Sequence, residues 1–183
     1  LDVHTEISAA ALAKLLAKAD VFVSNYRASA LTRMGLDLTA LTSRYPRLVV
    51  GHANGFGPLG SDAEKAMLDG AVQARGGLAS LSGPEDGVPM PPGATIADTA
   101  GAMLLALACS TALITRSITG RGQLVQTSSL GGQLWLQMWE IQHSAMTNTP
   151  LVRNGPHHPN ISGPYGVYAT AARYGFDDSN VSA

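Results

Sequence analysis

Apolar and polar residues alternate in two ways along the first half of the chain, and each way predicts a different element. In "AAALAKLLAKA", leucines recur at helical spacing opposite lysines, which predicts an amphipathic helix capped by Ser8. The β-branched and aromatic run "DVFVSN" predicts a short buried strand ending near Ser24. The same order of helix and strand is predicted again further along. Asp37 caps a helix over "LTALTSRY", which ends at Pro46, and "RLVVGHANG" predicts a second strand. We therefore predict an α/β fold, a Rossmann-like open parallel sheet with crossover helices.

A long apolar helix is predicted after the loop "SGPEDGVPMPPG". It begins at Asp98 and ends near Ser117, because the glycines of "TGRGQ" can terminate it. Its apolar stretch, residues 100–114, is shorter than the roughly 20 residues that span a membrane. We therefore expect a buried helix and no membrane partner. The segment before the loop, residues 69–81, has mixed helical character.

Two more elements and a change of composition follow. "QLVQTSS" predicts a third strand. "LWLQMWEIQHSAM" predicts one helix with an apolar face formed by Leu134, Met138, Ile141 and Ala145. From Thr149 onward the chain is rich in Pro, Asn, His and Gly, which predicts a linker, and "GPYGVYATA" predicts the opening of a further strand.

Composition and charge narrow the class of protein. The 183 residues suffice for one domain, or for one domain and part of a second. Twelve basic and 13 acidic residues give a net charge of −1 without runs of either sign, so we do not expect nucleic acid as a partner. The single cysteine, Cys109, lies in an apolar run; this excludes internal disulfides and favours a reducing, cytoplasmic location. The adjacent His157 and His158 lack metal-ligand spacing, so no metal is expected.

Two interpretations of Asp98, in "PPGATIADTAGAMLLALA", stay open on the residues alone. As a structural residue, Asp98 caps its helix by accepting amide hydrogens of the first turn. As a catalytic residue, it is kept ionised by the helix dipole and can attack an acyl carbon without a base to activate it. Small neighbours leave room for a bulky substrate: Gly93, Ala94, Ala97 and Gly101. The two roles are compatible.

A second group of candidates follows the first strand. Asn25, Tyr26, Arg27 and Arg33 come just after the carboxyl end of that strand, where open α/β sheets bind ligands. Arginine suits phosphate because its planar fork makes paired hydrogen bonds, and Tyr26 could stack on a purine. The alternative is that both arginines are merely solvated on a surface helix.

Four blocks, in order along the chain, resemble the class III CoA-transferase family, which includes formyl-CoA and carnitine CoA-transferases and the alpha-methylacyl-CoA racemases. They are "ADVFVSNYRASALTRMGLD", "PRLVVGHANGFGPLG", "GATIADTAGAM" and "TGRGQLVQTS". The resemblance implies that residues 1–148 form the central part of a large CoA-binding domain. Residues 149–183 then form a linker and the truncated start of a smaller domain, within a two-domain interlocked fold.

The resemblance also implies roles for individual residues. Asp98 matches the nucleophile of the family's "IAD" block, which attacks an acyl-CoA to give a mixed anhydride and then an aspartyl-CoA thioester. A carboxylic acid acceptor takes the coenzyme A. Asp69, in "KAMLDGAVQARGG", matches an acidic position lining the site and is a second catalytic candidate. The implied coenzyme A contacts are Asn25, Tyr26, Arg27, Arg33, Ala66, Met67 and Leu68.

Alternatives remain beside CoA transfer. The racemase branch has a histidine directly before the acidic residue, whereas this chain has Leu68, which cannot transfer a proton. The chain could also be a non-catalytic α/β module for coenzyme A binding or assembly, in which Asp98 only caps its helix. Gly131 and Gly132 stand where family members often carry a charged residue. Because members are longer, the chain is expected to be a fragment of an interlocked homodimer whose partners are acyl-CoA and a carboxylic acid.

Overall fold

Three short strands lie side by side in a parallel sheet. The structure, a computed structural model, describes residues 5–161, 163 and 165–168. The strands are β1 (Val21–Ser24), β2 (Val49–Asn54) and β3 (Leu124–Ser128), in the order β1-β2-β3. In the register, Val21 lies opposite Val49, and Val50 lies opposite Leu124. The three predicted strands and the α/β fold class with a parallel sheet are confirmed.

Eight helices connect and flank these strands in the described part of the chain. They are α1 (Glu6–Leu16), α2 (Ala28–Arg33), α3 (Leu38–Arg44), α4 (Asp69–Arg75), α5 (Leu78–Leu81), α6 (Ile96–Thr119), α7 (Ser129–Leu136) and α8 (Met138–Thr147). The predicted cap of α3 is confirmed, because the Asp37 carboxylate accepts the Ala40 amide hydrogen at 2.8 Å. The predicted cap of α1 is wrong. Thr5 has the extended backbone of an N-cap, and its hydroxyl accepts the amide hydrogen of Ser8, which lies inside the helix.

The sheet has a hydrophobic cluster on each face. One cluster joins β2 to the first three helices and contains Leu16, Leu31, Leu38, Leu41, Leu48 and Val50. The other joins β2 to α6 and contains Val49, Leu105, Cys109 and Ala112. Successive strand residues point to opposite faces, so the buried pair Val49 and Val50 serves both clusters. Burial raises the pKa of the Cys109 thiol, as expected for a packing residue.

Helix α6 is longer than the sequence predicted. Its N-cap is Thr95, and it ends at Gly120, whose φ of 74° is left-handed. Asp98 is therefore the third helical residue, and its predicted role as the cap of this helix is wrong. The 24 residues are long and apolar enough to cross a membrane by length and composition alone. However, the face that carries Leu105 and Ala112 is buried against the sheet, as in a core helix.

The single helix predicted over residues 134–146 is wrong, because two helices, α7 and α8, meet at Gln137. The Gln137 side chain is buried, and its Nε2 donates to the Gly76 carbonyl oxygen at 3.1 Å. This contact ties the junction between the two helices to the end of α4. The predicted apolar face does not pack in the described chain: Leu134 is 37% exposed and Met138 is 60% exposed.

The segment after α8 contains no helix or strand between residues 149 and 161. It nevertheless packs on the domain: the Arg153 guanidinium donates to the carbonyl oxygens of Ser80 and Pro84 at 3.3 and 3.1 Å. The ring of His158 stacks on Trp139 with centroids 5.1 Å apart. In the stretch predicted to open a strand, Gly166 forms an isolated antiparallel bridge with His157. Residues 164 and 169–171 of that stretch lie outside the described residues.

Candidate active site

A cleft of about 460 Å³ lies at the carboxyl edge of the sheet. The carboxyl ends of parallel strands meet at one edge, so the segments that follow β1, β2 and β3 converge there. The start of α6 completes the cleft beside them. The wall includes Asn25, Tyr26, Asn54, Gly55, Met67, Asp98, Gly101 and Ser129. The cleft therefore joins residues from five separate parts of the sequence.

The carboxylate of Asp98 is exposed in this wall. Its Oδ1 accepts a hydrogen bond from the Ser129 hydroxyl at 3.4 Å. Among the described residues it accepts no backbone amide hydrogen, so it does not cap α6. The positive end of the helix favours a negative charge at this position. The carboxylate is thus presented to the cleft with an oxygen that a substrate can approach.

An amide hydrogen in the first turn of α6 is accepted from outside the helix by Asp69, the first residue of α4. The Asp69 Oδ1 accepts the backbone amide hydrogen of Asp98 at 3.0 Å, and its Oδ2 accepts from Nε2 of Gln73. That amide needs an outside partner because the first hydrogen bond within α6 is donated by Thr99. Gln73, which is buried, also donates to the Ala94 carbonyl oxygen at 3.0 Å. Asp69 thus holds the backbone of Asp98, and Gln73 holds the loop before it. Asp69 does not line the cleft.

Two glycines bring α7 close to the start of α6. A Cβ added to Gly101 would lie 2.9 Å from the Cα of Ser129, and one added to Gly132 would lie 2.6 Å from the Gly101 nitrogen. Real Cβ atoms are not found this close to backbone atoms. The small residues at the crossing therefore allow the Ser129 hydroxyl to reach Asp98. Sequence reasoning noted Gly132 only as a departure from the family pattern and missed Ser129.

A buried histidine holds the loop that follows β1. His52 in β2 is 1% exposed, and its Nε2 lies 2.8 Å from the Tyr26 carbonyl oxygen. Its Nδ1 lies 3.2 Å from Nε2 of Gln126. A carbonyl oxygen can only accept, so Nε2 donates the hydrogen bond to Tyr26. The Ser24 hydroxyl accepts the Tyr26 amide hydrogen at 3.2 Å, so both backbone polar groups of Tyr26 are held. Sequence reasoning missed His52, although a histidine in an apolar strand signals a buried polar group that needs partners.

An ion-pair network fastens the segment before α4, which carries Met67. The Asp62 carboxylate contacts the Lys65 ammonium at 2.6 Å and the Arg75 guanidinium at 2.8 Å. The hydrogen bond from Lys65 lowers the pKa of Asp62, and the charges of Lys65 and Arg75 act in the same direction. The network links the loop to the last turn of α4.

The other residues nominated from the sequence divide into two groups. Asn25, Tyr26 and Met67 line the cleft together with Asp98. Five lie outside its wall: Arg27, Arg33, Ala66, Leu68 and Asp69. All of these except Asp69 are exposed. Among the described residues, no group of three or more His, Cys, Asp or Glu side chains is placed to hold a metal ion.

The parallel sheet and its edge cleft define an α/β protein. A crystal structure of a CAIB/BAIF family protein from Brucella suis superposes with a TM-score of 0.84 at 30% identity, covering 93% of this chain and 45% of that chain. The sequence profile of CoA-transferase family III matches residues 1–176. The chain belongs to CoA-transferase family III, and the resemblance identified from its four sequence blocks is confirmed.

Relatives with named activities are considerably longer than this chain. It is 33% identical over 170 residues to the succinate–glutarate CoA-transferase of Agrobacterium fabrum, covering 93% of this chain and 42% of that protein. It is 36% identical over 131 residues to a formyl-CoA:oxalate CoA-transferase of Rhodopseudomonas palustris, covering 72% of this chain and 30% of that protein. The structure of Rv3272 from Mycobacterium tuberculosis has a TM-score of 0.74 at 25% identity, covering 79% of this chain and 40% of that chain. The chain thus spans less than half the length of each of these proteins.

Proposed function

We propose that the protein in which this chain occurs transfers coenzyme A from an acyl-CoA to a carboxylic acid, with Asp98 as the nucleophile. The observation that carries the proposal is an exposed carboxylate near the start of α6, a helix packed on the sheet along one face, facing a cleft at the sheet edge. Family membership and two relatives named as CoA-transferases support the same reaction class.

The proposed chemistry needs one carboxylate and no added base. An Asp98 oxygen attacks the thioester carbon, the carbon–sulfur bond breaks, and coenzyme A leaves as a thiolate. The thiolate then attacks Cγ of Asp98 in the mixed anhydride and releases the donor acid as a carboxylate. This leaves an aspartyl-CoA thioester. An acceptor carboxylate attacks the same Cγ, the Cγ–sulfur bond breaks, and a second mixed anhydride forms as the thiolate leaves. The thiolate then attacks the acyl carbon of the acceptor, which breaks the bond between that carbon and the Asp98 oxygen, gives the new acyl-CoA and restores the Asp98 carboxylate.

The size and lining of the cleft agree with a thioester substrate. Its volume of about 460 Å³ lies in the range of small-molecule sites. Asn25, Tyr26 and Met67 share the cleft with Asp98, so the thioester end of coenzyme A would lie among them. We place the nucleotide end near the exposed Arg27 and Arg33, because guanidinium groups suit phosphate.

Two observations favour CoA transfer over the alternatives. Proton exchange beside the carbonyl needs an acid/base pair. Asp98 is the carboxylate in the described cleft wall, while Asp69 is engaged by the Asp98 amide and Gln73. The structure also gives no support to a capping role for Asp98 in a binding module, because Thr95 is the N-cap and Asp69 accepts the Asp98 amide hydrogen.

Trapping of the intermediate tests the proposal. The complete protein in which this chain occurs is incubated with an acyl-CoA and hydroxylamine, and peptide mass spectrometry is expected to find a hydroxamate on Asp98. The Asp98→Asn variant is expected to lower kcat by about 10³-fold or more, because the nucleophile is lost. Asp37→Asn is the matched control: it makes the same chemical change at a helix cap that does not line the cleft.

Two results would contradict the proposal. The first is full transfer activity in the Asp98→Asn variant. The second is exchange of the proton beside the thioester carbonyl without transfer of coenzyme A, which would establish the racemase reaction instead.

A further inference from the structure

We propose that Ser129 is a second catalytic residue, whose hydroxyl fixes one oxygen of Asp98 and stabilises the negative charge that develops on it. Ser129 is 7% exposed, lines the cleft and donates to the Oδ1 of Asp98 at 3.4 Å. The inference rests on the proposed function, because it assigns Ser129 a role in the steps that occur at Asp98.

The position of Ser129 is fixed by contacts on several sides. The Ser128 hydroxyl caps α7 by accepting the Gly131 amide hydrogen at 2.9 Å. The next residue, Leu130, donates its amide hydrogen to the Gly55 carbonyl oxygen at 2.9 Å. On the third side, Ser129 lies directly against Gly101 of α6. A hydroxyl held in this way needs little reorganisation when charge develops beside it.

The two oxygens of Asp98 then have different roles. Ser129 occupies Oδ1, so Oδ2 is the oxygen that attacks the acyl carbon and becomes the bridging oxygen of the anhydride. When the thiolate adds to Cγ, the carbonyl electron pair moves onto Oδ1. Collapse of this adduct restores the Cγ–Oδ1 double bond and breaks the Cγ–Oδ2 bond, so Oδ2 leaves with the donor acid.

Ser129 assists these steps without giving up its proton. The hydroxyl donates to Oδ1 while that oxygen carries the negative charge, both when the thiolate attacks Cγ and when the acceptor carboxylate does. A charged acceptor makes the hydrogen bond shorter and stronger than it is to a neutral carbonyl. The contact is therefore worth more in the adduct than in the thioester, which is the condition for raising kcat.

The Ser129→Ala variant of the complete protein tests the role. Loss of one oxyanion donor is expected to slow formation of the Asp98 hydroxamate by about 100-fold in a single turnover. The KM for acyl-CoA is expected to change by less than about 3-fold, because the hydroxyl acts mainly on the reacting state. Ser129→Cys keeps the shape of the side chain, but its thiol donates only weakly. The rate of hydroxamate formation should therefore fall in this variant too.

Ser128→Ala is the matched control. It removes one of the contacts that order the first turn of α7 but leaves the Ser129 hydroxyl in place, so its loss of rate should be much smaller than the loss in Ser129→Ala. An equal loss in Ser128→Ala would mean that order in α7, and not the Ser129 hydroxyl, sets the rate. An unmodified rate in both Ser129 variants would also overturn the inference. Full activity in Asp98→Asn would be a separate result, since it removes the proposed function itself.

Discussion

At Asp98, the backbone amide and the side-chain carboxylate have different partners. The amide hydrogen is donated to the Asp69 carboxylate, and the Asp98 carboxylate faces the cleft. Had the carboxylate capped its own helix, the amide hydrogens of the first turn would compete with a substrate for its oxygens. Because Asp69 accepts an amide hydrogen of the first turn of α6, the Asp98 carboxylate remains available to a substrate.

Asp69 should affect both stability and rate. Replacing it by alanine leaves the Asp98 amide without its acceptor and is expected to lower the free energy of unfolding by about 1 kcal/mol. It should also lower kcat, since the backbone that carries the nucleophile loses a fixed contact. Urea denaturation and steady-state kinetics of the complete protein measure the two effects.

The control for Asp69→Ala is Asp37→Ala, which removes a cap of the same chemical type from α3. It should cost a similar free energy of unfolding and leave kcat unchanged. If both variants lose activity in proportion to stability, Asp69 acts only through general folding. If Asp69→Ala retains full kcat, the contact with Asp98 has no catalytic consequence.

The residues of the site were predictable where a local pattern marks them. Asp98 follows a Pro/Gly loop and begins a run of small apolar residues, while Asn25 and Tyr26 follow a strand. Ser129 had no such signal, because its meaning depends on a contact with a residue 31 positions earlier. His52 likewise gains its role from Tyr26, 26 positions away, across the first two strands.

At the scale of elements, the crossing of α6 and α7 decides whether Ser129 can reach Asp98. Gly132→Ala places a methyl group against the Gly101 nitrogen and the backbone of Ala100. Backbone cannot yield as a flexible side chain does, so the two helices must separate. We expect a loss of about 1–3 kcal/mol in the free energy of unfolding and a fall in kcat. Thermal denaturation and the rate of Asp98 hydroxamate formation measure the two losses.

Gly70→Ala provides the contrast within the same chain. Gly70 lies in α4, and a Cβ there meets nothing within 4 Å. Since alanine is the better helix former, this variant should be as stable as the unmodified protein or more stable by up to about 1 kcal/mol. Equal stability of Gly132→Ala and Gly70→Ala would contradict the close crossing.

Elements held by apolar periodicity were predicted more reliably than those set by polar contacts. The central strand β2 is confirmed because its β-branched residues Val49 and Val50 are buried on the two faces of the sheet. β1 is less buried than the sequence predicted, since Val23 is 59% exposed, and no residue of β3 is fully buried. The division between α7 and α8 was not predictable, because it accompanies buried glutamines that join α7 to α4. Gln133 donates to the Gln73 carbonyl oxygen at 3.4 Å, and Gln137 donates to that of Gly76. Helical spacing does not specify which distant carbonyl a buried amide will meet.

On the scale of the whole molecule, many large apolar side chains are exposed, which is unusual for a domain that folds and functions alone. A second cavity, of about 550 Å³, lies between α6 and α7 on a surface that includes Met103, Leu107, Trp135 and Leu136. Leu107 is 64% exposed and Trp135 is 58% exposed. Monomeric proteins rarely leave large apolar patches open to water. The relatives are more than twice as long, so they contain further sequence that could cover such a surface.

The apolar cavity between α6 and α7, called the groove below, can be probed in the 183-residue chain expressed alone. It is expected to bind the hydrophobic dye 8-anilino-1-naphthalenesulfonate, because Leu107 and Trp135 offer apolar surface beside a concave site. Leu107→Gln and Trp135→Gln should each reduce the dye fluorescence at saturation. Ile7→Gln is the control: Ile7 is 85% exposed, but on α1, outside the groove, so its loss should leave the signal unchanged. Equal fluorescence in all three variants would contradict this prediction. It would mean that the dye does not bind in the groove between α6 and α7.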